Sequence, residues 1–298
     1  MVFRRLHLLI FAFLAIRVSW AQGASRSAFD INVTSVSPAV VESALGQVCP
    51  GGNIVRSADG TPAGCGSCPT TTAFRDEHGE GFKWTLDRAT VGHFTSPHAD
   101  DVVLSGTGCE PHSLNFGGSF VFTLEAVRLR FLTYEEGLLT DRCHDLRFTD
   151  GRNFLVCERG WGGQGWSFDS VFFVAFSADG KANVSPVLTT DDSTETCGLD
   201  AEGEIAGPVR RSAIKSAEFP DLNGDGLADL SITATLGLKR LTKAEREACL
   251  KASYDSRAEI MAKVASAREY RIDFVFDGEK FQPTPKSAKT LALFPKPR

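Results

Sequence analysis

Phe219-Pro220-Asp221-Leu222-Asn223-Gly224-Asp225-Gly226-Leu227-Ala228-Asp229-Leu230-Ser231-Ile232-Thr233-Ala234-Thr235 joins a polar turn to the strand it feeds. Asp221, Asn223 and Asp225 alternate, Gly226 follows, and Asp229 is the ninth residue counted from Asp221. A loop of this kind directs oxygens to one centre: the side chains of Asp221, Asn223, Asp225 and Asp229, with the backbone carbonyl of Leu227. Ca²⁺ suits such a set, since it takes six to eight hard oxygens at about 2.3–2.6 Å in loose geometry. Gly226 permits the sharp bend. An EF-hand is excluded, because position twelve is Ile232 where a bidentate Glu is required, and a strand follows where a helix should. The run from Leu230 to Thr235 alternates apolar with polar, as a half-buried strand does. A turn without metal is the alternative, since Asp, Asn and Gly are ordinary turn residues.

Two fainter copies precede this segment. His93-Phe94-Thr95-Ser96-Pro97-His98-Ala99-Asp100-Asp101 runs into Val102-Val103-Leu104-Ser105, and Asp145-Leu146-Arg147-Phe148-Thr149-Asp150-Gly151-Arg152-Asn153 runs into Phe154-Leu155-Val156-Cys157. Each delivers an Asp or Asn into an apolar strand. A second strand follows each: Phe120-Val121-Phe122-Thr123, Val171-Phe172-Phe173-Val174 and Ile272-Asp273-Phe274-Val275-Phe276. The third spacing is wider and matches an inserted helix over about 242–267, opened by a Thr242/Glu245 capping box. Asp179-Gly180 and Asp277-Gly278 mark hairpin turns. The repeating unit is strand, loop, strand, tight turn, strand.

Residues 219–230 resemble the FG-GAP/VCBS repeat family, whose repeats form β-propeller blades with a calcium loop leading into a blade strand. The resemblance implies Asp221, Asn223, Asp225 and Asp229 as ligands, with the Leu227 carbonyl. It is specific over 219–230 and loose over 91–285. Residues 145–153 keep Asp145, Asp150-Gly151 and Asn153, and residues 93–101 keep little beyond Asp101. The expected architecture is all-β: three propeller-like units, a possible divergent fourth within residues 28–90 around Phe82-Lys83-Trp84-Thr85-Leu86, and one helical insertion.

The 298-residue chain begins with a basic stretch (Arg4, Arg5), an apolar core (Leu8 to Ile16) and Ser19-Trp20-Ala21, the pattern of a cleaved signal peptide over residues 1–21. The expected domains are that peptide, a Cys-containing segment at 22–90 and the repeat domain at 91–298. The product is secreted or periplasmic, with no later segment apolar enough to span a membrane. Cleavage removes three arginines (Arg4, Arg5, Arg17) and no acid, so the net charge goes from −5 to −8. That sign argues against nucleic acid.

All eight cysteines lie beyond residue 21, which in an exported chain means up to four disulfides of undetermined pairing. Cys65-Gly66-Ser67-Cys68 reads as a redox pair, as half of a zinc site, or as structural half-cystines in disulfides for which Cys49 is one candidate partner. Cys109 and Cys143 are one candidate bridge, and Cys143 and Cys157 are another, across the hairpin turning at Asp150-Gly151. Around them Glu110, His112, His144 and Asp145 would form a zinc site or acid–base cluster if their loops meet. Trp161 and Trp166, in a glycine-rich loop, suit stacking on sugars, gripping a protein partner, or capping the core. Asn32-Val33-Thr34 and Asn183-Val184-Ser185 fit the N-glycosylation pattern. Two functional classes follow. One is a calcium-binding extracellular module with a binding or structural role toward a protein or glycan. The other is an extracellular hydrolase built on the His/carboxylate cluster.

Overall fold

The computed structural model describes residues 36–74, 82–110, 117–126, 128–163, 165–200, 203–205, 207–253, 256–257, 260–261 and 266–296. The signal-peptide segment, His112 and the Asn32 sequon lie outside them. The chain is mostly β, in two antiparallel sheets whose strands lie side by side in sequence order. The first holds β1 (Ile54–Arg56), β2 (Pro62–Cys65), β3 (Trp84–Gly92), β4 (Asp100–Thr107), β5 (Gly117–Glu125) and β6 (Arg128–Glu136). The second holds β7 (Cys143–Arg147), β8 (Asn153–Gly163), β9 (Trp166–Phe176), β10 (Ala182–Asp192), β11 (Val209–Glu218), β12 (Leu230–Lys239), β13 (Arg268–Phe276) and β14 (Phe281–Pro283).

Two joints in these sheets are thin. β2 meets β3 only at Gly64↔Thr85 and Cys65↔Trp84, and β10 meets β11 only at Asp192↔Arg211. Side chains continue the second joint where the main-chain ladder stops. The Ser212 hydroxyl accepts Asp191 N–H at 2.7 Å and donates to Asp191 C=O at 2.8 Å, while the Ser193 hydroxyl accepts Arg210 N–H at 3.0 Å. Hydroxyls here satisfy backbone groups that would otherwise be buried without partners. Between the joints lie three four-stranded meanders, β3–β6, β7–β10 and β11–β14, each with one strand more than the sequence pattern suggests.

The meanders pack face to face. Along β4 and β5, Val102, Leu104, Phe120 and Phe122 face one way, and Val103 and Val121 face the other, onto Leu155, Cys157, Phe172 and Val174. The opposite face of β8 and β9 offers Phe154, Val156, Val171 and Phe173 to Leu230, Ile232, Phe274 and Phe276. Burial on both faces explains why Phe154–Val156 and Val171–Val174 are continuous apolar runs. Phe154 and Phe276 have ring centroids 4.8 Å apart although β8 and β13 are five strands apart in the sheet, about 24 Å if it were flat. The second sheet therefore folds back on itself. The far face of the third meander is polar, with Ser231 opposite Asp273 and Thr233 opposite Arg271.

The free face of the first meander is covered by α1 (Pro38–Val48), through Val41, Ala44 and Leu45. Ser37 caps this helix and Pro38 starts it. Gln47, near its end, clasps the outer edge of β6: its amide donates to Leu129 C=O at 3.0 Å and accepts Phe131 N–H at 3.2 Å. Residues 22–90 thus supply a helix, the β1–β2 hairpin and most of β3. The Trp84-Thr85-Leu86 stretch belongs to the first meander, and among the described residues there is no separate fourth unit before it.

The inserted helix stands between β12 and β13. Its core is α2 (Lys243–Lys251), opened by the reciprocal Thr242/Glu245 box and ended at Ala252, whose ψ of 150° leaves the helical region. The expected run to Ala267 falls on a partly described stretch, where 256–257 and 260–261 are helical. A disulfide from Cys249 to Cys197 staples α2 to the segment before β11. The last helix, α3 (Pro285–Leu291), rests on β13, with the Ser287 hydroxyl accepting Asp273 N–H at 2.8 Å.

Candidate metal-binding loop

The loop between β11 and β12 is held by its own polar side chains. Gly224 N–H and Gly226 N–H donate to the two oxygens of Asp221 at 2.7 and 3.0 Å. Asp225 N–H donates to Asn223 Oδ1 at 3.0 Å, and Leu227 N–H to Asp225 Oδ1 at 2.8 Å. Asn223 Nδ2 reaches Asp225 Oδ2 at 2.8 Å. Gly224 and Gly226 both take left-handed backbone (φ 79° and 84°), which side chains would resist. Asp221, Asn223 and Asp225 remain exposed.

Asp229 is different, being 0% exposed. Its carboxylate accepts Leu222 N–H at 2.8 Å and Phe276 N–H at 2.7 Å, closing the loop and tying it to β13. The equivalent places in the other meanders hold Asp101 and Asn153, each where the second strand of its unit begins. Asp101 accepts Thr95 N–H at 2.6 Å, as Asp229 accepts Leu222 N–H, and Asn153 Oδ1 accepts His93 N–H at 2.8 Å. The recurrent Asp or Asn is thus a backbone-satisfying group, buried in all three units.

The donor chemistry fits a hard cation in part. Each oxygen of Asp221 and Asp225 and the Asn223 carbonyl oxygen keep a lone pair beyond the bond they accept. Asp229 is buried and likewise accepts one amide bond on each oxygen. Among the described residues no group of three or more His, Cys, Asp or Glu side chains is already gathered for a metal.

Glu110, His144 and Asp145 do not share a site. Successive strand residues point to opposite faces, so β7 sends Asp145 toward the first meander and His144 toward the third. His144 stacks on Phe219, two residues before Asp221, with ring centroids 4.0 Å apart and planes at 9°. Asp145 accepts a bond from Asn153 Nδ2 at 2.8 Å. Burial pushes its carboxyl up to about 6, against the opposing pull of the Asn153 bond, Arg147 and His93. Glu110 lies on the α1 side of the first sheet, 0% exposed, accepting Ala73 N–H at 2.9 Å. Burial raises its pKa too, while the Ala73 amide and Tyr134 hydroxyl oppose the rise. The expected cluster is therefore split among three layers, with His112 outside the described residues.

The cysteines form four disulfides: Cys49–Cys65, Cys68–Cys109, Cys143–Cys157 and Cys197–Cys249. Cys65 and Cys68 go to different partners, which removes the redox-pair reading, and Cys109 does not meet Cys143. The Cys143–Cys157 bridge joins directly opposed residues of the β7–β8 hairpin. Near the turn of the β8–β9 hairpin Trp161 stacks on Phe168 and is half exposed, so it does not cap a core. The Gln47 clasp and the Ser212 bridge have no sequence signature, since each is a long-range bond between a side chain and the backbone. No family model, curated protein or solved structure matches this chain.

Proposed function

We propose that this protein is an exported, calcium-binding, β-propeller-like module with a binding or structural role toward an extracellular partner. The observation that carries the reading is the loop at 221–225. Three hard-oxygen side chains stand at solvent on a lattice of turns anchored by buried Asp229. Asp221, Asn223 and Asp225 would hold the ion, and calcium would supply the positive charge that offsets two neighbouring carboxylates. The recurrence of a buried Asp or Asn at the same place in three four-stranded meanders supports a repeat architecture. Four disulfides fit an oxidising compartment. No helix among the described residues is long and apolar enough to cross a membrane. The hydrolase alternative lacks support, because Glu110, His144 and Asp145 lie in separate layers.

Thermal unfolding in excess EGTA and then in millimolar Ca²⁺ tests the reading. A ligand specific to the native state adds about 2–4 kcal/mol at 100–1,000 times its Kd. For a chain of this size that raises Tm by roughly 5–10 °C. The rise should vanish in Asp225→Ala. An equal Tm in EGTA and in calcium for the native chain would refute calcium binding.

A further inference from the structure

Past the Cys143–Cys157 pair, β8 loses its outer neighbour. Glu158 N–H still donates to Arg142 C=O at 2.9 Å, but from Gly160 to Gly163 the strand is paired only with β9 among the described residues. Backbone groups of an antiparallel strand alternate in direction. Because Glu158 turns its N–H outward, Gly160 and Gly162 turn theirs, with their carbonyls, to the same open side. Neither has a side chain to shield them.

Trp161 stands between these glycines. Its indole stacks on Phe168 across the hairpin at 4.4 Å and 17°, and Phe168 lies parallel to Trp166 at 6.1 Å and 10°. This ladder of three rings holds the indole in one orientation, yet 51% of Trp161 is exposed. A large apolar ring, fixed in place and left half bare, is a rigid contact surface that loses little entropy on binding. On the other face of the hairpin the Asp169 carboxylate lies under Gly160, at 2.8 Å from where a Cβ would stand.

We propose that Trp161 and the free edge at Gly160–Gly162 form a carbohydrate-binding site that takes a pyranose ring. The C–H face of the sugar stacks on the open indole face. Its hydroxyls exchange hydrogen bonds with the outward N–H and C=O groups of Gly160 and Gly162. An extended peptide suits the site less well. The free edge at Gly160–Gly163 is four residues long and three are glycine, so it offers few of the side-chain pockets that strand addition uses for specificity. The inference rests on the reading of the protein as a binding module, and it names the ligand class without requiring calcium.

Affinity electrophoresis tests it, with the secreted chain run through gels containing a β-1,4-glucan, a mannan, a galactan or a soluble chitin derivative. At least one gel should retard the native protein. Trp161→Ala should weaken that retardation by about 10-fold or more, as loss of a central Trp contact does, and Trp161→Phe should keep most of it. Tm should stay unchanged in both variants, since Trp161 lies outside the buried cores. The idea fails if no gel retards the native chain, or if Trp161→Ala runs like native. It also fails if extended peptides, and not sugars, quench the Trp161 fluorescence. Repeating the runs in EGTA separates the two readings: retardation that persists there stands whether or not the 221–229 loop binds calcium.

Discussion

Asn153 and His93 are bonded twice across the boundary between the first two meanders. His93 N–H donates to the Asn153 side-chain oxygen at 2.8 Å, and Asn153 N–H donates to the His93 carbonyl at 2.8 Å. One side chain and one backbone amide thus act as a short stretch of ladder between segments sixty residues apart in sequence. The Asn153 amide also donates to Asp145, so a single residue serves a neighbouring loop and a half-buried carboxylate together.

Asn153→Ala should therefore cost about 2–4 kcal/mol, because it leaves His93 N–H and the Asp145 carboxylate without a partner. Urea unfolding measures the loss. A cost within about 0.5 kcal/mol, the range of an ordinary surface substitution, would show that solvent replaces both bonds.

Asp145 gives the protein a pH dependence of known sign. Its folded pKa is raised from 3.8 to about 6, so between those values the folded state binds more protons than the unfolded chain. The contribution of this group to stability therefore rises as pH falls from 7 through 6 toward 4, and is constant above and below that window. Asp145→Asn removes the buried charge and keeps an acceptor for Asn153. The variant should be more stable than native at pH 7.5, and the difference should shrink as pH falls to 4. Taking the difference cancels the opposite slopes of Asp150, Asp273 and Asp277, whose pKa values are lowered. A difference that does not change with pH would refute the assignment.

Asp229 and Asp225 should separate in their effects. Asp229→Ala leaves the Leu222 and Phe276 amides without an acceptor in a buried setting and should cost about 2–4 kcal/mol in EGTA. Asp225→Ala, at an exposed position, should leave stability in EGTA within about 0.5 kcal/mol of native. Equal losses for the two variants in EGTA would contradict the division between a supporting and a presenting carboxylate.

Removing Cys197–Cys249 should act locally. This bridge spans 52 residues, against 14 for Cys143–Cys157, and chain-entropy reasoning gives about 4 kcal/mol for the longer loop and about 3 for the shorter. In a Cys197→Ala/Cys249→Ala variant, hydrogen exchange should speed up in α2 while β8 and β9 remain protected. Uniform deprotection would mean that α2 is part of the central cooperative unit.

Much of this arrangement is legible in the residues themselves. The continuous runs at Phe154–Val156 and Val171–Val174 announce strands buried on both sides, and the hairpin signal at Asp150-Gly151 sets Cys143 against Cys157. The separation of His144 from Asp145 is legible too: two adjacent residues in a strand cannot face one pocket, and that period of two outweighs the appeal of a His-Asp pair. The amide bonds that Asp229 accepts are hidden, because nothing in the spacing of a ligand-type carboxylate shows them. Whether β8 has a free edge beside Trp161 depends on where β7 stops, and no local pattern marks that point.

The joint between β10 and β11 has a consequence for how such a chain can change over time. Where adjoining meanders share one residue pair and a few hydroxyl bridges, a whole unit can be duplicated, lost or replaced with little effect on its neighbour's internal pairing. The polar outer face of β11–β14 then works as a stop. A chain of this design ends its stack by charge and hydroxyl content, and its length becomes a matter of which unit carries the last face.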